Sequence, residues 1–204
     1  MLLNRLEFAL MNNPVRAAIQ RHVEAPQLLR MGGPMAGGRA LEIGCGRGVG
    51  TELILDVFEA DRVDAFDLDQ RMVARARKRL RSRGSRARLW VGDATAIPVA
   101  ADTYDAVFDF GIVHHIPQWR RALREVTRVL KPGGRLYAEE ALAPLINHPI
   151  LRRLFDHPRA DRFDAASFQA GLREAGLLQQ KSVRLTSAFA WFTAVRATSG
   201  PIRS

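Results

Sequence analysis

A single cysteine, Cys45, stands in the 204 residues, so the chain can close no internal disulfide. One thiol without matching Cys or His spacings also makes no zinc site, and the expected metal set is empty. A reducing cytoplasm is the expected compartment. Lysine is nearly absent too: three Lys among 31 basic residues leave almost all the positive charge on arginine. No run approaches the roughly 18 apolar residues of a membrane span, and the first residues lack a basic leader with a long apolar stretch and a cleavage site. Internal repeats and low-complexity tracts are missing as well, which excludes collagen-like, solenoid and disordered chains.

What is present is the composition of one compact core, with 47% apolar and 25% charged residues. The formal net charge of +10 suits an anionic partner: nucleic acid, an acidic membrane surface or an anionic substrate. A chain rich in Ala, Arg and Gly equally reflects a GC-rich genome.

Two helical segments open the chain. Leu2, Leu3, Leu6, Leu10 and Met11 recur near the helical period, and Asn13-Pro14 reads as an N-cap and first-turn proline for a helix toward Met31. Gly32, Gly33, Pro34, Gly37 and Gly38 form a flexible connection, dividing a helical appendage or lid (1–38) from a main domain (39–204). Beyond it, short apolar runs alternate with helical stripes. The runs are Ala40 to Ile43, Val63 to Leu68, Arg88 to Val91, Ala106 to Ile112 and Arg135 to Ala138. The stripes are Val49 to Phe58, Met72 to Leu80 and Trp119 to Leu130, the last stopped by Lys131-Pro132-Gly133-Gly134. Alternation of this kind predicts a doubly wound α/β sandwich with a parallel sheet. Asp164 is then expected to cap a helix from Ala165 to Ala175, with Gly176 as its stop. Lys181 to Thr186 and Phe189 to Val195 follow as an antiparallel pair.

The chemistry concentrates where the first strand turns into its helix, at Leu41-Glu42-Ile43-Gly44-Cys45-Gly46-Arg47-Gly48-Val49-Gly50-Thr51. Glycines there let backbone approach a ligand above the carboxyl end of the sheet. The dinucleotide spacing fails in every register, since the third glycine position falls on Val49, Thr51 or Leu53, and no Gly-Lys-Ser/Thr makes a Walker loop. The second run ends in Phe66-Asp67-Leu68-Asp69, where a carboxylate can accept both ribose hydroxyl protons. The third ends in Gly92-Asp93-Ala94, where Asp93 can accept from an exocyclic amine while the next N–H meets a ring nitrogen. Together they describe an adenosine site without phosphates. Asp69 is read as the N-cap of the following helix.

With those residues in place the chain resembles the class I S-adenosylmethionine-dependent methyltransferases, and within them the group of ubiquinone and menaquinone C-methyltransferases. Glu42 to Gly48, Phe66-Asp67-Leu68, Gly92-Asp93-Ala94, Tyr104 to Phe108 leading to Val113-His114-His115-Ile116, and Leu130 to Leu136 follow the family's order over about 100 residues. The resemblance implies a Rossmann-like, mostly parallel seven-stranded sheet ending in an antiparallel hairpin, with S-adenosyl-L-methionine as cofactor. It places Gly44, Gly46 and Gly48 against the methionyl and ribose parts, Asp67 on the ribose and Leu68 on adenine. Asp93 falls on the adenine amino group, with residues around Gly111 beside the methionine moiety. Glu42, Cys45, Met72, Ala94 and Phe110 complete the expected cofactor-binding set. A sulfonium is already activated, so alignment and exclusion of water supply most of the rate, and no covalent nucleophile is needed.

His114 or His115 is a candidate base beside the fourth strand, and Glu139 or Glu140, depending on register, is a base or an orienting group. Arg152, Arg153, Arg159 and Arg162, with His148 and His157, lie in a variable insertion at 141–163; Arg152, Arg153 and His157 are candidates to hold a substrate carboxylate or phosphate. Nine of the eighteen residues from Arg71 to Arg88 are basic and none is acidic. A solvated helix face is the plain reading, and a footprint for RNA or anionic lipid the sharper one. Against RNA, that stretch has little aromatic interleaving, and Asp109-Phe110-Gly111-Ile112 is not the Asn/Asp-Pro-Pro-aromatic pattern of base-amino methyltransferases. The expectation is a methyltransferase acting on a small apolar or anionic acceptor. An enzyme acting on RNA or protein, or a non-catalytic cofactor-binding protein, is the alternative.

Overall fold

A computed structural model describes residues 13–143 and 162–198 of the chain. The expected opening helix from Leu2 to Met11, the basic candidates Arg152, Arg153 and Arg159, and His148 and His157 lie outside the described residues.

Asn13 accepts the Val15 N–H (2.8 Å) through its side chain and starts α1 (Pro14–Ile19) as the Asn-Pro pair predicts. A π-helical turn (Gln20–Glu24) carries the helix on into α2 (Ala25–Gly32), which buries Ala25 and Leu28. Then come β1 (Arg39–Ile43), α3 (Val49–Asp56), β2 (Arg62–Asp67), α4 (Gln70–Arg79), a 3-10 stretch (Leu80–Arg86) and β3 (Ala87–Val91). β4 (Tyr104–Phe110), a 3-10 turn (Val113–His115), α5 (Trp119–Val129), β5 (Leu130–Ala141), α6 (Ala165–Glu174), β6 (Leu177–Thr186) and β7 (Phe189–Arg196) complete the described elements.

One seven-stranded sheet runs in the order β3-β2-β1-β4-β5-β7-β6. β1 to β5 pair in parallel, whereas β7 lies antiparallel to both β5 and β6. The mostly parallel sandwich with its terminal hairpin is therefore the observed architecture, and the order reverses between β1 and β4, where α/β sheets open a crevice. Alternation is less strict than the apolar runs predict. No helix lies between β3 and β4, where residues 92–103 return by turns, and β5 begins directly at Leu130, running through the Lys-Pro-Gly-Gly segment expected only to stop the helix. A register irregularity opposite Tyr104 and Ala106 accommodates that proline and its glycines.

Both faces of the central strands are buried, which is why they read as unbroken apolar runs. On one face, Leu41, Ile43 and Val107 pack against Trp119, Leu123 and Val126 of α5 and Phe168 and Leu172 of α6. On the other, Ala40, Val63, Ala65 and Phe108 meet Leu53 and Ile54 of α3 and Ala25 and Leu28 of α2. Phe108 stacks on Tyr137 with ring centroids 4.5 Å apart, and the Tyr137 hydroxyl donates to Gly33 O (2.8 Å), tying α2 to β5.

Candidate cofactor and active site

The β1–α3 turn is built from residues with positive φ: +72° at Gly44, +50° at Gly46 and +86° at Gly48. Gly44 N and Cys45 N both donate to Phe66 O (2.9 Å each), which fastens the turn across the top of β2. A Cβ on Gly44 would collide with the Ile112 side chain from the loop after β4, whereas one on Gly46 would meet nothing within 4 Å. The bend is thus pinned on one side and bare on the other.

Asp67 closes the bare side. Its Oδ2 accepts from Gly46 N (2.9 Å) and its Oδ1 from Asp69 N (2.8 Å), so one carboxylate spans the glycine turn and the start of the next helix. Burial raises its pKa, and the two amide donors oppose that rise. Asp69 is the N-cap of α4, accepting Arg71 N (2.9 Å) and pairing with the Arg71 guanidinium (2.6 Å). Asp93 turns the chain after β3, its Oδ1 accepting from Thr95 N (2.8 Å) and Thr95 Oγ1 (2.9 Å).

These corners open onto one cavity of about 360 Å³, the size of a small-molecule site. Of the sequence candidates, Glu42, Gly44, Cys45, Gly46, Asp67, Leu68, Met72, Asp93, Ala94, Phe110, Gly111 and His115 line it. Gly48, His114, Glu139 and Glu140 do not. Gly48 instead caps the start of α3, where a Cβ would press on Leu80 and on Ala76 of α4. Cys45 is buried, and burial pushes its thiol well up, away from nucleophilic use.

At the cavity wall (Glu42) and behind it lie carboxyl groups buried from water. Glu140 accepts from Val113 N (2.8 Å), His114 N (3.2 Å) and His114 Nδ1 (2.6 Å), holding the turn that presents His115. Burial raises Glu140 to about 7. Asp109 accepts from Ile112 N (2.8 Å), and burial followed by the charge of Glu140 holds it well above the usual carboxylate range. Glu42 receives the Thr51 hydroxyl and is raised to about 8, by burial first and then by Asp67 and Asp109. Glu139 points elsewhere, accepting from Arg16 Nη2 (3.2 Å) and Trp191 Nε1 (3.2 Å). Burial, then the neighbouring Glu24, raises it, and Arg16 opposes them.

Sequence reasoning missed the other wall. Arg16, Ala17 and Gln20 of the N-terminal helix, Thr95, and Ile112, Ile116, Pro117 and Gln118 after β4 all line the cavity. Polar residues four apart, Arg16 and Gln20, on a helix whose later turns bury Ala25 and Leu28 were the available signal. Arg16 also bonds Glu24 (2.5 Å) across the π-turn.

Residues 40–134 match the family described as "Methyltransferase domain". That match takes in a little under half of the chain. The chain is 34% identical over 124 residues to the demethylmenaquinone methyltransferase of Clavibacter sepedonicus, covering 60% of this chain and 48% of that protein. It is 31% identical over 123 residues to the phthiotriol/phenolphthiotriol dimycocerosates methyltransferase of Mycobacterium tuberculosis, covering 60% of this chain and 43% of that one. The chain thus spans under half the length of either relative. The solved chain from the complex with the Haloferax volcanii Trm112 methyltransferase activator shares the fold, with a TM-score of 0.76 at 18% identity over 97% of this chain and all (100%) of that one. No helix among the described residues is long and apolar enough to cross a membrane.

Proposed function

We propose that this domain transfers the methyl group of S-adenosyl-L-methionine to a small, apolar acceptor. The observation that carries the reading is the bare Gly46 bend facing the cavity, with the buried Asp67 carboxylate beside it and the Asp93 corner on the same wall. The donor set fits the cofactor: carboxylates for hydroxyl and amine protons, and a glycine turn that a side chain would fill.

When bound, the cofactor supplies an electrophilic methyl carbon. Asp67 would hold the ribose hydroxyls and Asp93 the adenine amine, with Leu68, Met72 and Phe110 as apolar surface. Gly111 and the Ile112–Gln118 wall would border the acceptor, with Arg16, Ala17 and Gln20 across from them. Of the four candidate bases only His115 reaches the cavity, so His115 would take the acceptor's proton. Glu140 works through His114 and the backbone as a positioning residue, and Glu139 anchors Arg16. Replacing His115→Ala lowers turnover by about 10²-fold or more, the usual contribution of a positioned base, while cofactor affinity is kept.

An apolar acceptor agrees with the Ile112, Ile116 and Pro117 wall and with the quinone and lipid acceptors in the relatives' names. A nucleic-acid acceptor has weaker support, because the basic run is largely engaged by the chain itself. Arg71 pairs with Asp69, Arg79 with Glu52 and Arg83 with Asp56, while Arg77 and Arg86 donate to backbone carbonyls. Titration calorimetry with S-adenosylmethionine tests the cofactor, and labelled-methyl incorporation into fractionated metabolites, lipids and RNA tests the acceptor. Absence of binding heat overturns the reading, and a labelled RNA product overturns the apolar acceptor.

A further inference from the structure

Two carboxyl groups, Asp109 at 1% and Glu140 at 0% exposure, are shut in behind the cavity wall that follows β4. In the parallel pairing of β4 with β5, Asp109 stands opposite Ala138, so Glu140, two residues on, shares its face of the sheet. Their bonds run along one turn. Asp109 Oδ1 accepts from Ile112 N (2.8 Å), Glu140 Oε1 from Val113 N (2.8 Å), and Glu140 Oε2 from His114 N (3.2 Å) and His114 Nδ1 (2.6 Å). Three consecutive amides are thus taken by two side chains from neighbouring strands. That turn carries the wall: Gly111, Ile112, His115, Ile116, Pro117 and Gln118 line the cavity, and the Ile112 side chain is the one that a Cβ on Gly44 would strike.

The bonding leaves one place for a proton. Among the described residues no N–H or O–H donor reaches Asp109 Oδ2, which is buried, and the Asp109 carboxyl hydrogen-bonds to Glu140 instead. Two ionised carboxylates out of water would repel each other there, whereas a single proton between them makes a bond. Glu140, with three N–H donors, is the group stabilised as the anion, and a fourth donor fills its remaining lone pair. Asp109 therefore keeps the proton: as a neutral acid it has one oxygen to accept from Ile112 and one O–H to give to Glu140. Burial, then the charge of Glu140, holds Asp109 well above the usual carboxylate range, whereas the donors around Glu140 oppose its burial and leave it at about 7. The other ionisable groups facing the pair are Glu42 of β1, itself raised to about 8, and His114, whose Nδ1 must donate to an anionic Glu140. Burial can keep a carboxylic acid neutral so that it donates a hydrogen bond.

We propose that Asp109 is a positioning residue that works as a neutral acid. Its oxygen holds Ile112 and its proton binds Glu140, so the two carboxyl groups clamp the amides of residues 112–114 and fix the wall that presents His115. Loss of the clamp frees Ile112 to shift against the Gly44 bend on the cofactor side and His115 to turn on the acceptor side. The inference rests on the proposed methyl transfer for what the clamp positions, whereas the proton and the hold on the turn belong to the fold.

The test compares Asp109→Leu with Asp109→Asn in the full chain, in mildly alkaline solution where Glu140, at about 7, is ionised. Leucine keeps the bulk and makes neither bond, whereas asparagine offers an oxygen to Ile112 N and an N–H to Glu140 and so reproduces the neutral acid. Infrared difference spectra of the unaltered protein against Asp109→Asn should show the C=O band of a protonated carboxyl that the variant lacks. Calorimetry with S-adenosylmethionine should give Asp109→Leu an affinity lower by about tenfold or more, with a lowered melting temperature, and Asp109→Asn should rescue both. A carboxylate band in place of the acid band overturns the proposal, as does an asparagine variant as weak as the leucine one or a leucine variant that binds like the unaltered protein. A melting temperature raised in Asp109→Asn overturns it too, since the amide would then be relieving repulsion between two anions. Should the unaltered protein give no binding heat, the cofactor reading falls by itself, and the infrared band with the melting temperatures still decides the clamp.

Discussion

Asp67 joins two amides with one carboxylate, and its position at the end of β2 makes it the residue on which the cofactor reading can be tested most directly. Removing it leaves Gly46 N and any bound hydroxyl without their acceptor. Asp67→Ala should weaken cofactor binding by about 1–3 kcal/mol, read by calorimetry; undiminished affinity would remove Asp67 from the site. At this scale the chain was legible wherever a residue's role is local. Gly44 and Asp67 announce themselves because a turn and a strand end are defined by near neighbours. Arg16 did not, because the Glu139 carboxylate that orients it lies 123 positions away and only the fold brings the two together. Glu139 and Glu140 were open to either facing for a related reason. They occupy opposite faces of one strand, and both proved buried, one under Arg16 and one under His114.

Among the elements, α6 shows how sequence signals and packing agree. Asp164 accepts Ser167 N (2.8 Å) and Ser167 Oγ accepts Asp164 N (2.9 Å), a reciprocal cap, and Gly176 turns the chain at φ +84° straight into β6. In mid-helix, Gly171 stands where a side chain would collide with the indole of Trp119, so α5 and α6 meet at bare backbone. Gly171→Ala should therefore destabilise the protein by about 1–3 kcal/mol despite alanine's better helix propensity, as chemical denaturation would register. A neutral or stabilising result would mean that the two helices are free to part. The helical run toward Met31, α3, α4, α5, α6 and all seven strands could be placed from apolar periodicity and punctuation. The helix-free return from β3 to β4 could not, since residues 92–103 carry short apolar groups without any period, and turns of this kind are set by the sheet they bridge. The early start of β6 was hidden by Leu178-Gln179-Gln180, whose polar character reflects an exposed strand and not a loop.

For the molecule as a whole, the buried carboxyl groups set the response to pH. Glu42 and Glu140, raised by burial to about 8 and about 7, hold protons in the folded state that the unfolded chain releases near pH 4 to 5, and the upward shifts of Asp67, Asp109 and Glu139 act in the same direction. A raised carboxyl contributes stability that is complete below its unfolded pKa and lost as pH climbs through the folded one. Asp105 and Glu125, lowered despite burial by partners such as Lys131 and Arg128, act in the opposite sense below about pH 4. Stability should peak in mildly acid solution and decline toward pH 8, by up to ~1.4 kcal/mol per pH unit for each responsible group. Glu42→Gln, which keeps a partner for Thr51, should flatten that decline in thermal melts taken between those limits. An unaltered slope would assign it to other groups. The strand order adds a constraint of timing. β7, the last described strand, is wedged between β5 and β6, so β5 keeps an open edge until residues near 196 leave the ribosome. The nascent domain must therefore wait with a sticky, half-built sheet, exposed to chaperones and to its neighbours on the polysome, until its final hairpin arrives to seal it.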